Sequence, residues 1–139
     1  MSHPTTKKQV AGIQAYQQTE ILTANRETIL LMLYSGAIRF LTRAIEASKS
    51  GNKAKKCENL TRTQRIVCEL RATLNFDSGG ELAQRLEALY GFVTRQLIEG
   101  VMEEDSQGIE EALKILIDLN DAWEQAVAQI RATAGSSKT

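Results

Sequence analysis

The side chains that most often carry enzyme chemistry are scarce in this 139-residue chain, which holds one histidine, His3, and two cysteines, Cys57 and Cys68. His3 stands beside the only proline, Pro4, in a stretch poor in apolar groups, and that composition predicts a disordered tail over residues 1–11. A histidine placed there leaves no Ser-His or Cys-His pair, no histidine-containing zinc site and no phosphoacceptor histidine on a helix. Cys57 and Cys68 share a helix face but lie ~16 Å apart along it at ~1.5 Å per residue, too far to pair with each other. They read as two small buried hydrophobes. A di-iron site needs paired Glu-x-x-His motifs, which the sequence lacks. Glu103, Glu104 and Asp105 fall at a helix junction and read as solvated charge, and Gly79-Gly80 is a turn rather than a phosphate loop. The expectation is a protein that is not an enzyme and that uses no metal and no cofactor.

Binding chemistry is more promising. Lysine plus arginine and aspartate plus glutamate each total 17, for a net charge of zero. The charge is unevenly spread: residues 1–75 carry 12 basic and 5 acidic side chains, a net +7, and residues 76–139 carry the reverse, a net −7. This asymmetry lets the early helices lie against the late ones, or marks an interaction surface. Basic residues gather at Lys53, Lys55, Lys56, Arg62, Arg65 and Arg71, but Glu58 and Glu69 dilute them and no aromatic interleaves. They read as a solvated helix face, with no nucleic acid expected. No apolar run approaches the ~20 residues of a membrane span and no secretory signal opens the sequence, so a cytosolic protein without direct membrane insertion is expected.

The elements that must position any binding surface are helical. The stretch from Thr28 to Ala47 is apolar around more than one face: Ile29, Leu33, Ala37, Phe40 and Ala44 form one stripe, and Leu30, Leu31, Met32, Tyr34, Ile38, Leu41 and Ile45 spread over the rest. Other helices or a partner must cover it. Asn25 is a good cap for this first helix, which is predicted to run to Lys49 with Gly51 as a left-handed terminator. The second is predicted over residues 53–74 with Leu60, Val67, Leu70 and Leu74 inward, flanked by Cys57, Ile66 and Cys68. After the NFDSGG turn, Asp77 or Ser78 caps a third helix running to Glu103. Leu82, Leu86, Leu89, Val93, Leu97 and Val101 are its main stripe, and Phe92, Ile98 and Met102 mark a second contact face. Gly91 and Gly100 inside it each cost roughly 1 kcal/mol relative to alanine, which suggests close approach of another backbone. Asp105 or Ser106 caps a fourth helix to Ala132, with Ile109, Leu113, Leu116, Trp123, Val127 and Ile130 inward. Residues 133–139 are predicted to be a disordered tail. Short connections make successive helices antiparallel, so the fold class is all-α: an antiparallel up-down four-helix bundle over residues 12–132.

Residues 12–24 remain. They carry Ile13, Tyr16, Ile21 and Leu22 ahead of the first main helix and form an N-terminal strap, too short to fold alone and too apolar to float free. With Met32-Leu33-Tyr34-Ser35-Gly36-Ala37, this arrangement resembles the flagellin export chaperones, the FliS family. The likeness runs from about Gly12 to Val127 through Gln64 to Leu70, Gly79-Gly80-Glu81-Leu82, Leu89-Tyr90 and Trp123-Glu124-Gln125-Ala126. Two positions depart from the family pattern: Ser35 replaces an aspartate, and Arg26 replaces the proline that fixes the helix entry.

The resemblance implies a bacterial cytosolic chaperone that needs no ATP. Its client would be the C-terminal segment of flagellin, disordered as a monomer and helical in the filament, kept from premature polymerisation and delivered to the export gate of the flagellar type III apparatus. Other flagellar regulators could share the surface. A helix-in-groove client fits the over-apolar first helix. Candidate partner-binding residues are Ile13 and Tyr16 in the strap, Leu33 and Tyr34 in the first helix, and Leu89, Tyr90 and Val93 in the third. For all but the strap pair, plain core packing is an equal reading. The strap itself is either a displaceable lid or a permanent fifth segment of the core. The competing reading of the whole chain is a dimeric helical adaptor or regulatory protein that binds another amphipathic helix.

Overall fold

The computed structural model describes the backbone of residues 15–137 and the side chains of residues 26–134. Four helices follow in order, α1 Ala15–Lys49, α2 Lys53–Ala72, α3 Phe76–Met102 and α4 Gln107–Ser137, with no strand among the described residues. The chain divides into two units, residues 1–30 and 31–139, and the bundle is built within the second.

Local chemistry explains the three turns. At the end of α1, Gly51 adopts φ +78°, Asn52 N–H reaches the Ala47 carbonyl at 2.9 Å and Gly51 N–H reaches that of Ser48 at 3.2 Å. These paired bonds form the Schellman turn for which glycine is suited. Asn52 then caps α2, its Oδ1 accepting the Lys55 N–H at 3.1 Å. Asn75, rather than Asp77 or Ser78, caps α3 by accepting both of their N–H groups, at 3.0 and 3.1 Å. Gly80 at φ +54° then kinks α3 after its first turn. Asp105 and Ser106 share the start of α4: Asp105 Oδ1 accepts the Gln107 N–H at 3.2 Å, and the Ser106 carbonyl accepts the Glu110 N–H at 2.9 Å.

Within residues 31–139 the helices pack as a bundle. α3 lies against both α2 and α4. α1 meets α2 where Gly36 faces the Ile66 methyl, and it meets α4 where Lys49 pairs with Glu110 at 3.7 Å. The core holds Tyr34, Ala37, Leu41 and Ala44 of α1, Leu60, Val67 and Leu70 of α2, Leu86, Tyr90, Val93 and Leu97 of α3, and Ile109, Ala112, Leu116 and Val127 of α4. Each large aliphatic side chain among these contributes roughly 1.5–3 kcal/mol by leaving water. α3 meets α4 tightly at Gly100, where a Cβ would stand only 2.5 Å from Ile109 Cγ2. Gly100 does mark a close approach, but by the Ile109 side chain rather than by the expected backbone. Gly91, by contrast, faces open space.

Several expectations need correction. Nothing interrupts the helix at Asn25: α1 is continuous from Ala15, because Thr23-Ala24-Asn25-Arg26 contains no proline and arginine is a good helix former. Of the predicted strap, residues 12–14 and the predicted tail 1–11 lie outside the described residues. At the other end, residues 133–137, predicted as tail, continue α4 to Ser137, while 138 and 139 lie outside the described residues. Cys68 is exposed and Cys57 half-buried, so neither is a buried hydrophobe, although both are free as expected. Lys56, expected on a solvated face, is buried to 3% exposure, its Nζ donating to the Glu103 carbonyl at 2.6 Å. The last turn of α3 has no basic residue of its own, so Lys56 supplies the positive charge that a helix C-terminus favours. Finally, Arg26–Lys49 is long and apolar enough by composition to cross a membrane, with mean hydropathy 1.3, against the expectation that no such segment exists. A core helix meets the same criterion, and Tyr34, Ala37, Leu41 and Ala44 of this segment are fully buried in the bundle.

Candidate functional site

The periodicity of α3 produces two apolar stripes. Ala83, Leu86, Tyr90, Val93, Leu97 and Gly100 recur at intervals of three and four and are buried. Ile98, Val101 and Met102 share the last turns of the same helix but point outward, with exposures of 60%, 46% and 85%. Ile98 and Val101 join Leu97, and Leu60, Thr61, Gln64 and Arg65 of α2, around a groove of about 200 Å³. Val101 and Met102 continue into a hollow at the bundle end beside Lys53 and Cys57. The result is an apolar ledge along the α2–α3 seam with anchor side chains at i, i+3 and i+4, the spacing by which one helix reads another. A second groove, lined by Ile45, Leu113 and Ile117 among charged neighbours, runs between α1 and α4.

Chemistry at the opposite extreme of solvation lies in the core. The Tyr34 and Tyr90 hydroxyls share a buried hydrogen bond between α1 and α3, and the Trp123 indole N–H donates to the Tyr34 oxygen at 3.2 Å. Burial raises both phenol pKa values. For Tyr34 the bonds from Tyr90 and Trp123 partly offset it, and for Tyr90 the neighbouring Tyr34 adds to it. Both phenols therefore stay neutral, and the network pins three helices without charge. Among the described residues no cluster of histidine, cysteine, aspartate and glutamate is arranged to hold a metal ion.

The residues singled out from sequence are divided by this arrangement. Tyr34, Tyr90 and Val93 are buried in the core, where they have no free surface to present, and the first two meet each other. Leu33 and Leu89 are half-buried. Tyr16 lies in α1, its side chain outside the described residues, and Ile13 lies outside them altogether. The ledge residues Ile98, Val101 and Met102 were not among the candidates, yet their signal was present: Ile98 and Met102 form the second contact face that the sequence pattern marks on this helix.

Comparison with known proteins gives this architecture a family. Residues 9–130 match the family described as "Flagellar protein FliS". The chain is 34% identical over 117 residues to the flagellar secretion chaperone FliS of Bacillus subtilis, spanning 84% of this chain and 86% of that protein. It is 32% identical over 120 residues to the protein of the same name from Salmonella typhimurium, spanning 83% and 89%. With the protein so named from Vibrio cholerae it shares 30% identity over 118 residues, spanning 82% and 87%. The chain belongs to the FliS family of flagellar secretion chaperones.

Proposed function

We propose that this protein is a bacterial cytosolic export chaperone that binds the C-terminal segment of newly made flagellin as helices on its apolar seams, blocks premature polymerisation and helps deliver the client to the flagellar type III export gate. It does so by binding alone, with no reaction catalysed. The observation that carries this reading is the ledge of Ile98, Val101 and Met102, held in water by a bundle whose core is already filled. Family membership supplies the flagellar context. A flagellin segment that is helical in the filament would hide its own apolar stripe there and be unable to use it for assembly. Ordering such a segment costs about 2–5 kcal/mol of the gross interaction, so the client must cover more than one seam, and the α1–α4 groove is a second place for it.

Calorimetric titration with full-length flagellin and with flagellin lacking its C-terminal segment tests the reading. A 1:1 complex with the former, none with the latter, and suppressed polymerisation of the complexed client are expected. A stable dimer that ignores flagellin in sedimentation would overturn it and leave the helical adaptor. Delivery is checked by secretion: cells whose only copy carries Ile98→Ser and Met102→Ser should release less flagellin at equal expression.

A further inference from the structure

We infer that the outer face of α1 and α2 is a docking site for an acidic segment of a partner protein, held by the guanidinium groups of Arg39, Arg43 and Arg62 gathered around Phe40. The three carbons at the guanidinium centres lie 5.1, 5.7 and 5.5 Å from the centroid of one phenylalanine ring. Two come from successive turns of α1 and the third crosses from α2. Three like charges converge here, and only one is answered: Arg62 pairs with Glu58 at 2.9 Å, while Arg39 and Arg43 have no ion pair among the described residues. Glu46 is exposed on the same helix as Arg43 but makes no ion pair with it. The Glu58 carboxylate already resting on one fork demonstrates the chemistry that the other two accept.

Several physical points favour a carboxylate ligand. Guanidinium groups stacked on a ring are partly ordered before a ligand arrives, so less freedom is lost on forming the planar, bidentate bonds that arginine makes to carboxylates. Arg39 and Arg43 are four residues apart on α1, a rise of ~6 Å, which matches two acidic side chains one helical turn apart on a partner. A nucleic acid fits less well. The ring that could stack a base is already covered by cations, and residues 76–139 carry a net −7 that opposes a long polyanion but not a short segment confined to this face. The site shares no residue with the groove of the α2–α3 ledge.

The test uses the full chain and a fluorescent alanine-based helical peptide with glutamates one turn apart, read by anisotropy at low and moderate salt. Binding should weaken as salt rises and disappear when the glutamates are replaced by glutamine. The paired change Arg39→Gln and Arg43→Gln should weaken it about tenfold or more. Both arginines are exposed, so thermal unfolding and Trp123 emission should stay as in the parent. If they do not, Arg39→Lys with Arg43→Lys keeps the charge and should still lose several-fold, because an ammonium lacks the fork. Equal binding by parent and variant, equal binding of the glutamine peptide, or tighter binding of a single-stranded oligonucleotide than of the acidic peptide would each overturn the assignment.

Discussion

The two apolar faces of α3 have similar composition and opposite fates. Leu86, Tyr90, Val93 and Leu97 are buried in the bundle along the body of the helix, whereas Ile98, Val101 and Met102, on its last turns, remain in water. Hydrophobicity alone does not decide which face is buried. What separates the two is a small residue in the inner stripe: at Gly100 the Ile109 side chain of α4 comes so close that no Cβ fits. The outer stripe has no such gap-making residue and is bulky throughout. A face that packs within the chain is marked by the fit of its small residues, and one that waits for a partner is marked by bulk left uncovered.

The widest contrast between the faces comes from truncating one member of each. Tyr90→Ala removes a fully buried ring and takes from the buried Tyr34 hydroxyl its Tyr90 partner, leaving it only the bond from the Trp123 indole. Cavity and unmade hydrogen bonds together should cost about 3–5 kcal/mol, measured by denaturant unfolding. A loss under about 1 kcal/mol would mean that the core is not organised around this network. On the outer face, Ile98→Ser with Met102→Ser should leave unfolding within about 0.5 kcal/mol of the parent. If the ledge binds flagellin as proposed, the same pair should weaken that binding by roughly 2–3 kcal/mol, or about 30- to 150-fold in Kd, since two apolar anchors would be lost. Loss of stability without loss of binding would reverse the roles assigned to the two faces.

How much of this was legible from the residues depends on size as much as on pattern. Four helices, their order, the turn at Gly51 and the close seam at Gly100 follow from periodicity and from glycine's lack of a side chain. The rotation of each helix does not. On α3, the sequence pattern puts Leu82 and Val101 in the main stripe because they are large, yet both are exposed and the inward positions beside them are Ala83 and Gly100. On α1, Ile29 is likewise exposed and Tyr34 is central. Tyrosine's polar tip argues against burial until the Tyr90 and Trp123 groups that satisfy it are known, and those are far away in sequence. Lys56 was illegible for the same reason: its burial depends on a carbonyl at Glu103, on another helix.

Glycine substitutions sharpen the comparison at finer scale. Gly100→Ala places a methyl 2.5 Å from Ile109 Cγ2, a branched side chain with little room to turn, whereas Gly91→Ala meets nothing within 4 Å. Alanine gains about 1 kcal/mol of helix propensity at either site. At Gly91 that gain should appear nearly in full as raised stability. At Gly100 overpacking of about 1–3 kcal/mol should outweigh it, giving a net loss of about 1 kcal/mol. Opposite signs in paired thermal melts are the expected result, and two gains would show that the α3–α4 seam can open without penalty.

The smallest effect lies at the border between the faces, where Glu87 of α3 takes two hydrogen bonds from Arg71 of α2 in a half-exposed setting. The bond from Arg71 holds the Glu87 carboxyl below its usual range, with burial opposing and the charge of Arg71 reinforcing that shift. A carboxylate lowered on folding stabilises the native state above its unfolded pKa, about 4.3, and that contribution is lost as pH falls through the lower native value. The melting temperature of Glu87→Gln should therefore sit slightly below the parent's near pH 7 and converge with it in acid, once the pH has fallen below the lowered native pKa and the parent carboxyl is protonated. Added salt should narrow the neutral-pH gap, because exposed pairs are screened. A gap that persists unchanged into acid would mean that the charge of Glu87 is not what stabilises the α2–α3 seam, because glutamine keeps both methylenes and changes only the head group.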